Sequence, residues 1–275
     1  MIDLHAHILP GLDDGAKTLE QSIEMCRISY RDGVRTIVAT PHNLNGLYLN
    51  DRETILAKVR ELNKAVKKFG VEGSKLEVHS TFGNPHSAIV SNSELQTLNS
   101  KLRILPGSDV HLSEKTLSFL DEGRLMTIGD GNKYLFLEFP SQGIPYGSEE
   151  IIFKLMSRGI IPVITHPERN LEIGQRPQRY HEMVRMGCLG QITAMSLTGD
   201  FGPRVKQIAE ELLIHRLVHF IASDAHSTGR RSPVLSEGVK AAERIIGEEA
   251  HRMVTEYPQA ILEGRKLCVA EPVPI

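Results

Sequence analysis

Tyr134-Leu-Phe-Leu-Glu138 is an unbroken apolar run that ends in a carboxylate. A strand with one wet face alternates apolar and polar side chains. A continuous apolar run has both faces covered, as in a parallel sheet flanked by helices. His219-Phe-Ile-Ala222 has the same character and leads through Ser223 into Asp224. Outward from these two runs, further strands are predicted at Ile2–His7, Val34–Thr40, Leu102–Leu105, Ile160–Thr165 and Leu189–Thr193, with the quoted runs completing strands at Tyr134–Phe139 and Leu217–Ser223. Helical periodicity falls between them. Thr18-Leu-Glu-Gln21 forms a capping box ahead of Leu19, Ile23, Cys26 and Tyr30, and Gly33 stops that helix. Asp51 caps a long helix bearing Ile55, Val59, Leu62, Val66 and Phe69, closed by Gly70. Others are predicted at Glu114–Glu122, Ser148–Arg158, Gln178–Met186, Val205–Leu213, Ser236–Ile246 and Glu248–Tyr257. Strands alternating with helices make parallel βα units. The stretch Val71–Asn99, scattered with Gly, Ser, Asn and Pro, is predicted to be an insertion with one short helix at Ser93–Leu98.

The polar residues favour a distorted α/β barrel over an open doubly wound sheet, because they gather at strand ends. In parallel α/β folds the C-terminal strand ends form the active-site face. His5-Ala-His7 ends the first strand, and side chains two apart on a strand point the same way. Asp224-Ala-His226 repeats that geometry after the last. His42 follows Val38-Ala-Thr-Pro, Asp109 follows Ile104-Leu-Pro-Gly-Ser, Glu138 ends its apolar run, and His166 ends Pro162-Val-Ile-Thr. Asp13 and Asp14 lie in the loop after the first strand; a lone carboxylate there caps a helix as readily as it binds a metal. An unpaired charge at Glu138 would cost several kcal/mol, which a metal would offset. Mixed imidazole and carboxylate donors suit Mn²⁺, Zn²⁺ or Fe, and there are too many for one tetrahedral ion. His111 shares the face of Asp109 and stays ambiguous, while His219 begins its strand and belongs to the opposite end. His79, His86, His181, His215 and His251 lack strand-end placement and are expected on the surface or on helices. Arg169, Arg230 and Arg231 follow His166 and His226 closely, where a guanidinium fork suits a phosphate, the alternative being a salt bridge to a nearby acid.

Composition excludes several classes. The 275 residues, 40% hydrophobic, fit one globular domain, and a formal net charge of −2 argues against broad attraction to nucleic acid or anionic membrane. Three scattered cysteines make neither a disulfide framework nor a metal knuckle, and with no signal-like N-terminus or membrane-length apolar stretch a cytoplasmic protein is expected. A cysteine phosphatase needs Arg six positions after its Cys, but Asp32, Ala194 and Pro274 stand there after Cys26, Cys188 and Cys268. HExxH, GxSxG and GxxxxGK[ST] are absent too, leaving a hydroxide generated at the metal as the expected nucleophile.

The segments MIDLHAHILPGLDDGA, ATPHNLNGLYLN, ILPGSDV, YLFLEFP, PVITHPERN, QITAMSLTGDFG and FIASDAH, in this order, resemble the polymerase and histidinol phosphatase (PHP) superfamily. Within it they are most similar to the bacterial manganese-dependent protein-tyrosine phosphatases of capsule and exopolysaccharide operons. That resemblance implies a distorted (β/α)7 TIM-like barrel spanning residues 1–275 as one domain, with up to three metal ions, Mn²⁺ first among the candidates. It implies that His5, His7, Asp109 and Asp224 hold the first metal and that Asp109 bridges to a second held by Glu138 and His166. Asp14, His42 and His226 would hold a third, and Arg169 and Arg231, with Arg230, would bind the phosphate. The family's usual Glu is replaced by Asp109, one methylene shorter. The implied substrate is a phosphotyrosine protein, a tyrosine autokinase of polysaccharide biosynthesis. A small-molecule phosphatase of the histidinol-phosphatase type and a catalytically silent metal-binding scaffold are the alternatives.

Overall fold

The structure, a computed structural model, describes residues 1–71 and 102–275. Strand β1 (Ile2–Ala6) pairs in parallel with β2 (Thr36–Ala39), and β2 with β4 (Arg103–Pro106). A second parallel sheet runs in the order β3 (His42–Asn43), β5 (Asp109–His111), β6 (Tyr134–Glu138), β7 (Ile161–Thr165), β8 (Leu189–Thr193) and β9 (Phe220–Ala222). The strand predicted at Val34–Thr40 is β2, and β3 follows it unpredicted. Pro41 has no N–H to add to a ladder, so pairing stops there and resumes one step on. The strand predicted at Leu102–Leu105 is β4, which ends at Pro106; the chain passes Gly107, where a Cβ would sit 2.6 Å from Val38 Cγ1, and β5 begins at Asp109. The two sheets meet a second time where Ala6 bridges Ala225 in parallel and Asp224 N donates to His5 O at 2.8 Å.

The strands are covered on both faces, as the apolar runs required. Every residue of β1, β2 and β8 is buried, and Leu135, Phe136 and Leu137 of β6 are fully so. The outer layer is helical: α1 (Leu19–Arg31), α2 (Arg52–Val71), α3 (Thr116–Asp121), α4 (Ser148–Ser157), α5 (Gln178–Arg185), α6 (Ala194–Thr198), α7 (Pro203–Ile214), α8 (Ser236–Ile246), α9 (Glu249–Arg252) and α10 (Glu256–Leu262). Thr18 Oγ1 accepts from Gln21 N at 3.2 Å, but Gln21 Oε1 reaches back to Lys17 N at 2.9 Å, one residue earlier than the capping box places it.

Three helical expectations need correction. Helix α2 passes through Gly70 and ends at Val71. The helix predicted at Glu248–Tyr257 is two, α9 and α10. Pro258 sits in the first turn of α10, where its missing N–H is harmless, but a helix continuing from upstream would lose a bond and clash there. Helix α6 was not foreseen. The insertion expected at 71–99 lies, beyond residue 71, outside the described residues, as do its helix at 93–98 and His79 and His86. Among the described residues no helix is long and apolar enough to cross a membrane.

Candidate metal centre

The C-terminal ends of β1, β6, β7 and β9, with the first residues of the short strands β3 and β5, bring the predicted imidazoles and carboxylates together. His5 Nδ1 faces Gln191 Oε1 at 2.9 Å, and His7 Nδ1 faces Asp13 Oδ2 at 2.6 Å. Those oxygens accept the Nδ1 protons, which turns Nε2 of His5 and Nε2 of His7 toward each other 3.1 Å apart. Two imidazole nitrogens at that separation share a cation, either a proton carried by His7 or a metal ion in its place. His226 is oriented the same way, its Nδ1 donating to Asp224 O at 2.9 Å, so its Nε2 points to Asp14 Oδ1 at 3.4 Å.

Around this pair the nitrogen–oxygen separations are long. His5 Nε2 lies 3.7 Å from Asp109 Oδ2 and 3.6 Å from Asp224 Oδ1, and His7 Nε2 lies 3.4 Å from Asp224 Oδ1. His42 Nδ1 is 3.4 Å from Asp109 Oδ2 and 3.5 Å from Glu138 Oε2, while its Nε2 is 3.6 Å from Asp14 Oδ1. His166 Nε2 is 3.9 Å from Asp109 Oδ2 and 3.5 Å from Glu138 Oε1. Good N–H···O bonds measure about 2.7–3.2 Å. Two donors each about 2.1 Å from one ion, at roughly 90–110°, stand about 3.0–3.5 Å apart. All eight separations exceed the hydrogen-bond range, and four of them fall where a shared ion would put its donors. Asp109 Oδ2 and His42 Nδ1 are also buried without a hydrogen-bond partner, an arrangement costly without a cation.

The donors fall into compact groups: His7, Asp14, His42 and His226; His5, His7 and Asp109; and His42, Asp109 and Glu138. Asp14, His42 and His226 fall in one group, with His7 added. His7, His42 and Asp109 each stand in two groups, so the groups adjoin. His166 and Asp224 flank the groups rather than joining them. His111 Nδ1 lies 3.4 Å from Glu138 Oε2, so it reaches the same carboxylate.

Electrostatics follow from burial and pairing. Burial drives the His5 imidazole down to about 3 despite Asp109 and Asp224 nearby. At His7 burial pulls the same way, but Asp13 and Asp224 outweigh it and lift the pKa to about 10. Asp109 and Asp224 are buried, which opposes ionisation, yet His5 beside Asp109 and Arg169 beside Asp224 hold both carboxyls well below their ordinary range. Burial pushes the Cys26 and Cys188 thiols up to about 12, which disqualifies both as nucleophiles.

Arg169 and Arg231 converge, but on Asp224: their Nη2 atoms lie 2.5 and 2.6 Å from its Oδ2. The salt-bridge alternative thus holds for one edge of each fork. Each Nε is buried without an acceptor, and both guanidinium carbons stand over the Phe201 ring, 5.2 and 5.9 Å from its centre. Arg230 is exposed and makes no ion pair among the described residues. The backbone here is strained. His166 has φ 34° although it precedes Pro167, and Asp224 has φ 49°. That left-handed step turns the chain at His166 into the short 3₁₀ turn Pro167–Arg169, which aims Arg169 back at Asp224.

Sequence reasoning missed the supports. Asp3 accepts from Ser223 Oγ at 2.6 Å and Ser223 N at 3.0 Å, tying β1 to β9 beneath the cluster. Its signal was available, since Asp3, His5 and His7 share one strand face. Gln191, a polar side chain inside a buried strand, was another. Asp13 is a support for His7 and also accepts from Gly15 N at 2.9 Å and His42 N at 3.0 Å. Thr165 Oγ1 donates to Asp109 Oδ1 at 3.1 Å. His219 sits at the far end, buried, accepting from Gly190 N at 3.0 Å, and His181 is buried within α5 rather than on the surface.

Known proteins share this arrangement of chain. The tyrosine-protein phosphatase YwqE of Bacillus subtilis (strain 168) is 34% identical over 275 residues, covering 100% of this chain and 96% of its own length. The putative tyrosine-protein phosphatase CapC of Staphylococcus aureus is 34% identical over 237 residues, covering 86% of this chain and 81% of its own. A crystal structure from work on YwqE of B. subtilis and CpsB of Streptococcus pneumoniae, described as metal-dependent tyrosine phosphatases, superposes with a TM-score of 0.86 at 33% identity, over 100% of this chain and 99% of that one. A β-aspartyl dipeptidase from Fervidobacterium islandicum, 14% identical with a TM-score of 0.50 over 99% of this chain and 75% of its own, shares the fold alone. The family model described as capsular polysaccharide synthesis, CpsB/CapC, matches residues 1–84 and 83–263, and the chain belongs to that family.

Proposed function

We propose that this chain is a metal-dependent phosphomonoesterase acting on phosphotyrosine in proteins. The observation that carries the reading is the convergence of His5 Nε2 and His7 Nε2, 3.1 Å apart, beside the orphaned Asp109 Oδ2. His5, His7, Asp14, His42, Asp109, Glu138, His166, Asp224 and His226 are the proposed ligands, with Mn²⁺ the proposed ion, up to three per chain. Zn²⁺ and Fe suit the same donors. Bound divalent ions supply positive charge for phosphate oxygens and acidify a coordinated water.

The chain's own groups do the rest. Asp13, Gln191 and the Asp224 carbonyl hold the Nδ1 protons of three histidines, so each presents Nε2 to the cluster. Arg169 and Arg231 keep Nε donors unspent, and a phosphate drawn to the cluster takes them in a charge-assisted pair. Phe201 backs both guanidinium planes and fixes the direction of those donors. Asp109, shorter than the family's usual Glu, is held by Thr165 on one oxygen, which leaves the other for the ions. Arg230, exposed at the rim, meets the phosphoprotein rather than the buried phosphate.

Single-domain organisation over residues 1–275, closed as a distorted (β/α)7 barrel, is part of the proposal, supported by the bridge from Ala6 of β1 to Ala225, three residues past the end of β9. A cytoplasmic location is supported by the free Cys26, Cys188 and Cys268. The proposed partner is a tyrosine kinase of polysaccharide synthesis, supported by the family's description and the relatives' names. With Mn²⁺ the protein is expected to release phosphate from p-nitrophenyl phosphate and from phosphotyrosine peptides, and His7→Ala to abolish both. A higher kcat/KM for histidinol phosphate than for the peptide would transfer the assignment to a small-molecule phosphatase. Absence of turnover on every ester would leave a silent metal-binding scaffold.

A further inference from the structure

The segment between β3 and α2 is built more firmly than delivery of His42 requires. Asn43 Nδ2 donates to Asn50 O at 2.8 Å, and Asn50 N donates to Asn43 Oδ1 at 3.2 Å. Asn50 Nδ2 also donates to His42 O at 2.8 Å and Leu12 O at 3.0 Å. Within the loop, Asn45 Oδ1 accepts from Leu47 N at 3.1 Å and Tyr48 N at 2.8 Å, and Leu44 holds a left-handed φ of 61°. A loop clamped this way still leaves Leu47 84% and Leu49 58% exposed. Neighbouring apolar side chains held out in water on a fixed frame mark a binding surface. With Leu44, Tyr48 and Phe119 they line a cavity of about 360 Å³, the size of a small-molecule subsite. Its wall is continuous with the metal centre, because the Tyr48 ring lies nearly parallel to the His42 ring, 6.3 Å away at 11°.

We propose that this cavity seats the phenyl ring of the phosphotyrosine and so selects aryl over alkyl phosphates. The inference rests on the phosphatase reading above. A phosphate at the cluster carries its ester group one bond away, so the first substrate atoms beyond the phosphate must pack against whatever borders His42. One side of that cavity is apolar, with an aromatic face at Tyr48 for offset stacking and leucines for the ring edge, while Ser113, Glu114 and Lys115 line the other. An alkyl or seryl phosphate has too little apolar surface to fill it.

The test measures calorimetric dissociation constants of phenylphosphonate and methylphosphonate for the Mn²⁺-loaded full chain, wild type against a Leu47→Ser and Leu49→Ser double variant. Both positions are exposed, so folding is preserved, and the melting temperature checks it. The wild type should prefer the phenyl probe, and the variant should lose about tenfold on that probe alone, the order of one apolar contact withdrawn. Turnover of p-nitrophenyl phosphate should fall in step. An equal loss on both probes overturns the subsite, as does a loss confined to phosphotyrosine peptides with phenylphosphonate binding unchanged. A wild type that turns over no aryl ester at all would instead overturn the phosphatase reading.

Discussion

Asp13→Asn isolates how the protein prepares an imidazole for a metal. Asp13 Oδ2 accepts from His7 Nδ1 at 2.6 Å and from His42 N at 3.0 Å, and Oδ1 accepts from Gly15 N at 2.9 Å. Asparagine has one acceptor oxygen. If that oxygen stays with Gly15, an NH₂ group faces two other donors, and His7 must move its proton to Nε2, the atom aimed at the cluster. Removing a support of this kind costs roughly 10–100-fold in metal affinity. That range corresponds to about 1.4–2.7 kcal/mol. The fold should lose a similar amount, because a buried N–H without its acceptor costs about 1–3 kcal/mol. Calorimetric titration of metal-free protein with Mn²⁺ measures the first effect and urea unfolding the second. Unchanged Mn²⁺ affinity in a folded Asp13→Asn protein would refute the orienting role.

Phe201→Ala removes the surface behind Arg169 and Arg231. Two cation–π contacts of about 0.5–1 kcal/mol each predict a roughly five- to thirtyfold rise in KM with Mn²⁺ affinity unchanged, and Phe201→Tyr should restore it. Gly15→Ala would place a Cβ 2.1 Å from His7 O, a backbone atom that cannot yield, so metal affinity and melting temperature should fall together. His219 gives a pH dependence away from the metal ligands. Burial lowers its pKa from 6.5 to about 4. The unfolded chain therefore takes the proton first, so the contribution is whole above pH 6.5 and drains away as pH falls toward 4, by about 3 kcal/mol in all. In His219→Gln that component of the urea midpoint's pH dependence should vanish; curves running parallel to wild type would rule it out.

The C-terminal strand ends were legible because a buried polar residue at the end of an apolar run has few physical explanations. Glu138 and His166 were found that way, and the period of two gave His5 with His7. The same period reached Asp3, yet a carboxylate inside a strand gives no hint of its partner Ser223 from the far end of the chain. Contacts across long sequence separations also hid Gln191 behind His5. The short strands β3 and β5, just past Pro41 and Gly107, were missed because two or three residues carry no strand pattern until the pairing partner is known. Arg169 and Arg231 stood out by following His166 and His226, but their shared hold on Asp224 depends on left-handed backbone at His166 and Asp224, which sequence pattern does not reveal for residues other than glycine.

Anomalous diffraction at the manganese edge, on crystals of protein purified without chelator and supplied with Mn²⁺, tests the centre most directly. More than one peak is predicted, each within about 2.0–2.3 Å of donor atoms among the nine named ligands, with Asp109 shared between two peaks. Well-ordered crystals with no peak among these side chains, their imidazoles still turned toward one another, would contradict the account.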